Sequence, residues 1–146
     1  GGLGTVTASQ ITHGRENDIW IEVDGTKASL EWHQEDPNKL IVRQNGQPHK
    51  LYYRDPNAPF ATAGHKGACR TPSGHPEGYL EAFANIYTAA YDAIITRITT
   101  GKVEHTNTIF PNVHDGVDGM NFIEQCVASS QADGAWKSLK HPACRR

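Results

Sequence analysis

The densest run of hydrogen-bonding side chains is His13-Gly14-Arg15-Glu16-Asn17-Asp18. Arg15 carries five N–H donors in a fixed fork, and Asn17 offers both a donor and an acceptor, a combination suited to vicinal hydroxyls or a carboxylate. His13 stands beside them. A solvated turn between two strands would use the same residue types, and composition by itself favours that plainer reading. His75, in Ser73-Gly74-His75-Pro76-Glu77-Gly78-Tyr79, is a second candidate. Its imidazole can donate to or accept from a hydroxyl, and it can equally close the start of a following helix. His65, Cys69 and His75 are scattered singles rather than the closely spaced ligand pairs of structural zinc, so no metal site is expected. The 14 glycines include no phosphate loop of either the dinucleotide or the P-loop form. Gly116 and Gly119 follow no strand directly and have the wrong spacing for a pyrophosphate cradle.

The elements that must position these groups begin as strands. Residues 4–12 are rich in β-branched side chains and predict a first strand. In Asp18-Ile19-Trp20-Ile21-Glu22-Val23 the apolar residues Ile19, Ile21 and Val23 alternate with Trp20 and Glu22. Asp24-Gly25 then predicts a tight turn whose glycine can adopt positive φ without steric cost, followed by Ala28, Leu30 and Trp32 in alternation with polar residues. A second hairpin runs from Leu40-Ile41-Val42-Arg43 through Asn45-Gly46 to His49-Lys50-Leu51-Tyr52-Tyr53. Sequential hairpins imply an antiparallel sheet.

Residues 55–75 contain Pro56, Pro59 and Pro72 and no periodicity, and read as a long loop. Leu80, Phe83, Tyr87, Ala90, Tyr91, Ile94 and Ile98 then recur at helical intervals, with Pro76 in the first turn and Gly101 at the end. This stripe is expected to be core. Residues 102–111 link to a second helix, with Asp115 as its cap and Val117, Met120, Ile123 and Val127 on one side, closed by Asp133-Gly134. Trp136-Lys137-Ser138-Leu139 suggests a short last strand. Strands before helices argue for the α+β class, an open, predominantly antiparallel sheet with about two helices packed on one face.

The chain has 146 residues and 14 basic against 16 acidic side chains, a formal charge of −2. That balance disfavours nucleic acid and anionic membrane surfaces as partners, and no apolar run is long enough to span a bilayer. The length predicts one compact domain, residues 1–140, with 141–146 as a tail. An odd set of cysteines, Cys69, Cys126 and Cys144, suits reduced thiols and a cytoplasmic location.

The wording becomes specific in Thr7-Ala8-Ser9-Gln10-Ile11, Gly14-Arg15-Glu16-Asn17-Asp18, residues 21–32, His75-Pro76-Glu77-Gly78-Tyr79 and Phe110-Pro111-Asn112-Val113. In this order, over residues 2–139, the chain resembles the C-terminal domain of the Gfo/Idh/MocA family of NAD(P)-dependent sugar and polyol oxidoreductases. The resemblance implies a parent with an N-terminal Rossmann domain that holds NAD or NADP. The family's Glu-Lys-Pro and Asp-x-x-x-His catalytic motifs would precede residue 1, and neither has a match here. No catalytic residue is therefore assigned to this chain, and no cofactor is expected on it alone. By the same resemblance Arg15 and Asn17, with His13 and more weakly His75, would touch a sugar or polyol substrate. The sheet face opposite the helices would form a homo-oligomer, with either Trp20 or Trp32 on it according to register. The alternative is a non-enzymatic oligomerisation or interaction module built on the same sheet.

Overall fold

The computed structural model describes residues 2–102 and 110–139. Four strands, β1 (Trp20–Asp24), β2 (Ala28–His33), β3 (Lys39–Gln44) and β4 (Lys50–Tyr53), form one open sheet in the order β1-β2-β3-β4. Every neighbouring pair is antiparallel. Helices α1 (Ala63–Ala68), α2 (Tyr79–Thr100) and α3 (Val113–Ser130) follow. The class is α+β, as the two periodicities require. Helix α1 is an addition inside the segment read as a loop. Its six residues are too few to show a stripe, but Thr62 caps it, accepting from the His65 N–H at 3.2 Å.

Register sorts the side chains of the sheet. Ile21 opposes Trp32, Val23 opposes Leu30, Leu30 opposes Val42 and Leu40 opposes Tyr52, which places these residues on one apolar face. Trp20 opposes His33, Glu22 opposes Glu31, and Ile41 lies between Glu31 and Leu51 on the other face. The two tryptophans therefore sit on opposite faces. Glu22 against Glu31 is a like-charge pair that would weaken the β1–β2 ladder. Arg43 relieves it through an ion pair with Glu31, and His33 Nε2 lies 2.8 Å from the same carboxylate. Arg43 first, and His33 second, hold the Glu31 carboxyl below its ordinary range. Trp20 stacks on His33 with ring centroids 6.2 Å apart.

Both hairpin turns form, with different demands on glycine. Gly46 adopts φ 69°, which only glycine reaches without strain. Gly25 is not at positive φ. A side chain there would meet the Ala28 carbonyl oxygen at 3.3 Å, so close approach selects the glycine.

Several expectations are corrected. Residues 4–12 form no strand, because Val6 and Ile11, both exposed, fall on opposite parities and give the segment no apolar side to bury. Trp136-Lys137-Ser138-Leu139 is not a strand either; its attachment is the Leu139 carbonyl, which accepts from Asn121 Nδ2 of α3 at 2.8 Å. Pro76 lies three residues before α2 rather than in its first turn, whereas Gly101 ends the helix at φ 70°, donating to the Arg97 carbonyl at 2.9 Å. The cap of α3 is Asn112, and Asp115 is its reciprocal partner, accepting from the Asn112 N–H at 2.7 Å to complete a capping box. The links at residues 103–109, the tail 141–146 and Cys144 lie outside the described residues.

The chain clusters into two compact units, Gly1–Ala82 and Phe83–Arg146. The first contains the sheet and α1, and the boundary falls in the first turn of α2. The stripe of α2 does not become core. Phe83, Tyr87, Tyr91, Ile94 and Ile98 are all exposed, and Ala58, Ala89 and Asn121 are the buried residues among those described. Amphipathic periodicity specifies a face but not what covers it. Among the described residues no helix is long and apolar enough to cross a membrane.

Candidate functional site

Antiparallel order brings the start of β1, the β2–β3 connection and the exit of β4 to one end of the sheet. The polar segment 13–18 enters there. Gln34, directly after β2, fastens it: its N–H donates to the Ile19 carbonyl and its side-chain amide to the Asn17 carbonyl, each at 2.9 Å. At the far side of the same connection Asn38 reaches the segment before α2. Its Nδ2 donates to the Glu77 carbonyl at 2.8 Å, and its Oδ1 accepts from the Glu77 N–H at 3.2 Å. Residues 34–38 thus tie down the loop at each edge.

The β4 edge is closed by Arg54. Its Nε donates to Asn38 Oδ1 at 3.1 Å, Nη1 to the Thr71 carbonyl at 2.9 Å, and Nη2 to Thr71 Oγ1 at 3.0 Å. Nη2 also faces the carbonyls of Pro72 and His75. Glu77 Oε2 lies 3.5 Å from Nη1, and the side chains of Arg54 and Glu77 are 13% and 7% exposed. Glu77 Oε1 accepts from the backbone N–H groups of Arg70 and Thr71. Burial pushes the Glu77 carboxyl up, but those amide donors and the nearby guanidinium outweigh it and hold the group below its ordinary value. Neighbouring Glu81 accepts from the Gly78 N–H at 2.9 Å, the main reason its own carboxyl is also lowered.

The structure gathers three of the four residues singled out from the sequence. His13, Arg15 and Asn17 share one exposed segment at the β1 edge, with Gly14 at φ 79° making its bend. Arg15 forms an ion pair with Asp18 and its side chain is 69% exposed. His13 Nδ1 lies 3.3 Å from the Ile11 carbonyl. His75 belongs to the other edge, where its carbonyl faces Arg54 while the residue itself remains exposed. The two edges are three strand spacings apart, roughly 14 Å, at the same end of the sheet.

On the apolar face, over β2, β3 and β4, lies a cavity of about 470 Å³ whose lining includes Trp32, Leu40, Val42, Tyr52, Phe60 and His65. Phe60 meets Tyr52 edge to face at 5.0 Å and His65 at 6.5 Å. His65 Nε2 is buried and has no hydrogen-bond partner among the described residues. Sequence reasoning missed Asn38, Arg54 and Glu77, because their roles arise from contacts across 16 to 39 residues of chain, and Phe60, which lies in the segment read as a loop. The only local signal was an arginine directly after a strand.

The described residues do not fit a dinucleotide. A pyrophosphate needs a strand running into a helix whose first N–H groups are free, usually within a parallel sheet. Here every strand pair is antiparallel, and the start of α3 is filled by the Asn112 side chain and the Asp115 carboxylate. Nor do the described residues bring three His, Cys, Asp or Glu side chains together as metal ligands.

Comparison with known proteins identifies the family. Residues 1–138 match the family model described as the oxidoreductase family, C-terminal alpha/beta domain, GFO_IDH_MocA_C. The uncharacterized oxidoreductase YfiI of Bacillus subtilis is 31% identical over 140 residues, covering 96% of this chain and 35% of that protein. An oxidoreductase from Sinorhizobium meliloti is 42% identical with a TM-score of 0.74, covering 89% of this chain and 35% of its own. An inositol dehydrogenase homolog from Azotobacter vinelandii, solved with NADH and myo-inositol, is 32% identical with a TM-score of 0.79 over 89% of this chain and 34% of its own. The chain spans about a third of the length of these relatives.

Proposed function

Because the chain belongs to the Gfo/Idh/MocA oxidoreductase family through its C-terminal α/β domain, we propose that it is the substrate-binding and oligomerising part of an NAD(P)-dependent sugar or polyol dehydrogenase. Hydride transfer belongs to a parent whose nucleotide domain holds NAD or NADP; this chain supplies grip and assembly. The observation that carries the reading is the convergence of the 13–17 segment and the His75 loop at one end of the sheet, each tied to the 34–38 connection. Arg15 and Asn17 present fixed donors and an acceptor at one wall, and the His75 ring presents a group able to do either at the other. A polyol asks for that mixture, since each hydroxyl both gives and takes. The myo-inositol held by the Azotobacter homolog supports the substrate class.

The sheet face bearing Trp20, Leu51 and Tyr53, all exposed, is the proposed homo-oligomer surface. On it Glu31, Arg43 and His33 satisfy one another, so covering that cluster with a second copy strands none of the three. The test of the substrate reading uses the intact oxidoreductase. Arg15→Ala and His75→Ala each raise KM for the polyol while leaving kcat nearly unchanged, the mark of lost ground-state binding. Unchanged KM in both variants refutes it.

A further inference from the structure

We propose that Arg54 and Glu77 are positioning residues for substrate binding, clamping residues 70–77 so that His75 faces the polyol in one orientation. The inference rests on the substrate-binding reading of His75 and adds the device that aims it. His75 is exposed, and its ring Nδ1 lies 3.4 Å from the Ser73 carbonyl two residues before it. Its aim must come from the backbone. That backbone is bent through Gly74 at φ 82°, a conformation in which a flexible loop would have many neighbours of similar energy.

The clamp removes that freedom from three directions. Arg54 takes the carbonyls of Thr71, Pro72 and His75 together, so one rigid fork fixes both ends of the bend. Thr71 Oγ1 adds a bond to the His75 carbonyl at 3.2 Å. Glu77 holds the amides of Arg70 and Thr71 on one side, while Asn38 brackets the Glu77 backbone through both its N–H and its carbonyl. The Arg54 and Glu77 side chains are 13% and 7% exposed, so water competes little for their own pairing, which anchors the more exposed bonds to the loop. A lysine at position 54 keeps the charge but not the planar fork, and it cannot serve three carbonyls and Asn38 at once.

The experiment is a double-mutant cycle in the intact oxidoreductase, with hydrogen exchange at the Arg70 and Thr71 amides read on the same proteins. Arg54→Lys is expected to raise KM about tenfold with kcat within about twofold, and to speed exchange at both amides. On a His75→Ala background the same change should move KM by less than about twofold, because the residue it aims is gone. Glu77→Gln, which preserves shape, should follow the same pattern more weakly and serves if Arg54→Lys does not fold. Equal KM effects on both backgrounds overturn the positioning role and leave Arg54 and Glu77 as fold-stabilising groups alone. An unchanged KM for His75→Ala and Arg15→Ala is a different failure, that of the substrate reading itself.

Discussion

Replacing Arg54 by methionine removes the fork while keeping an unbranched apolar stem, and the cost follows from what is left behind. Arg54→Met strips donors from Asn38 Oδ1, Thr71 Oγ1 and the carbonyls of Thr71, Pro72 and His75, and leaves Glu77 without its cation. Removing one member of a buried ion pair costs about 3–5 kcal/mol. The residual exposures of 13% and 7% and the 3.5 Å separation place this pair at the lower end, about 3 kcal/mol. With a urea slope of about 1.5 kcal/mol/M, near the small-protein range, the midpoint falls by about 2 M. Tryptophan fluorescence is the assay. Trp20 and Trp32 lie in the unit that contains the clamp, and Trp136, 95% exposed, changes little on unfolding. A midpoint shift below about 0.5 M would refute the reasoning, since it would mean that water replaces the fork at no cost.

Acid supplies an independent arm. Glu77 has a folded pKa below its ordinary 4.5, so its stabilisation is complete above that value and is lost as pH falls through the folded one. The urea midpoint should be flat from neutrality to about pH 5 and fall below it. Glu77→Gln should make the acid-side decline shallower without abolishing it, because Glu31 and Glu81 are lowered as well.

Two further outcomes are expected elsewhere in the molecule. Asn112→Ala breaks the capping box of α3 and should cost about 1 kcal/mol, seen as faster amide exchange in the first turn of α3 with the sheet amides unchanged. Trp20→Glu should shift the intact oxidoreductase to smaller species in light scattering while its far-ultraviolet circular dichroism is retained; Trp32→Glu, on the apolar face, should instead lower the urea midpoint.

Much of the architecture was legible because it is local. The alternation in Ile19, Ile21 and Val23 and the Asn45-Gly46 turn fix strand and hairpin within a few residues, and the stripe from Leu80 to Ile98 fixes α2. What was misread depends on partners. Residues 4–12 have the propensity of a strand without an apolar side, and Asp115 resembled a cap because the capping box uses both of its ends. Trp20 and Trp32 could not be assigned to faces until pairing placed Trp20 against His33 and Trp32 against Ile21. The candidate site was half legible. A dense polar run announces Arg15 and Asn17, whereas nothing near Arg54 in the sequence reveals that it closes on a loop 17 to 21 residues later.

The five-residue span from Gln34 to Asn38 holds both rims of the binding end, one through each terminus. An insertion or deletion there would shift both rims together, so under the proposed substrate role ligand size and ligand orientation would be coupled. Length changes at the Asn45-Gly46 bend, at the opposite end of the strands, carry no such linkage. Under the proposed substrate role, the short connector is therefore where one edit moves both edges.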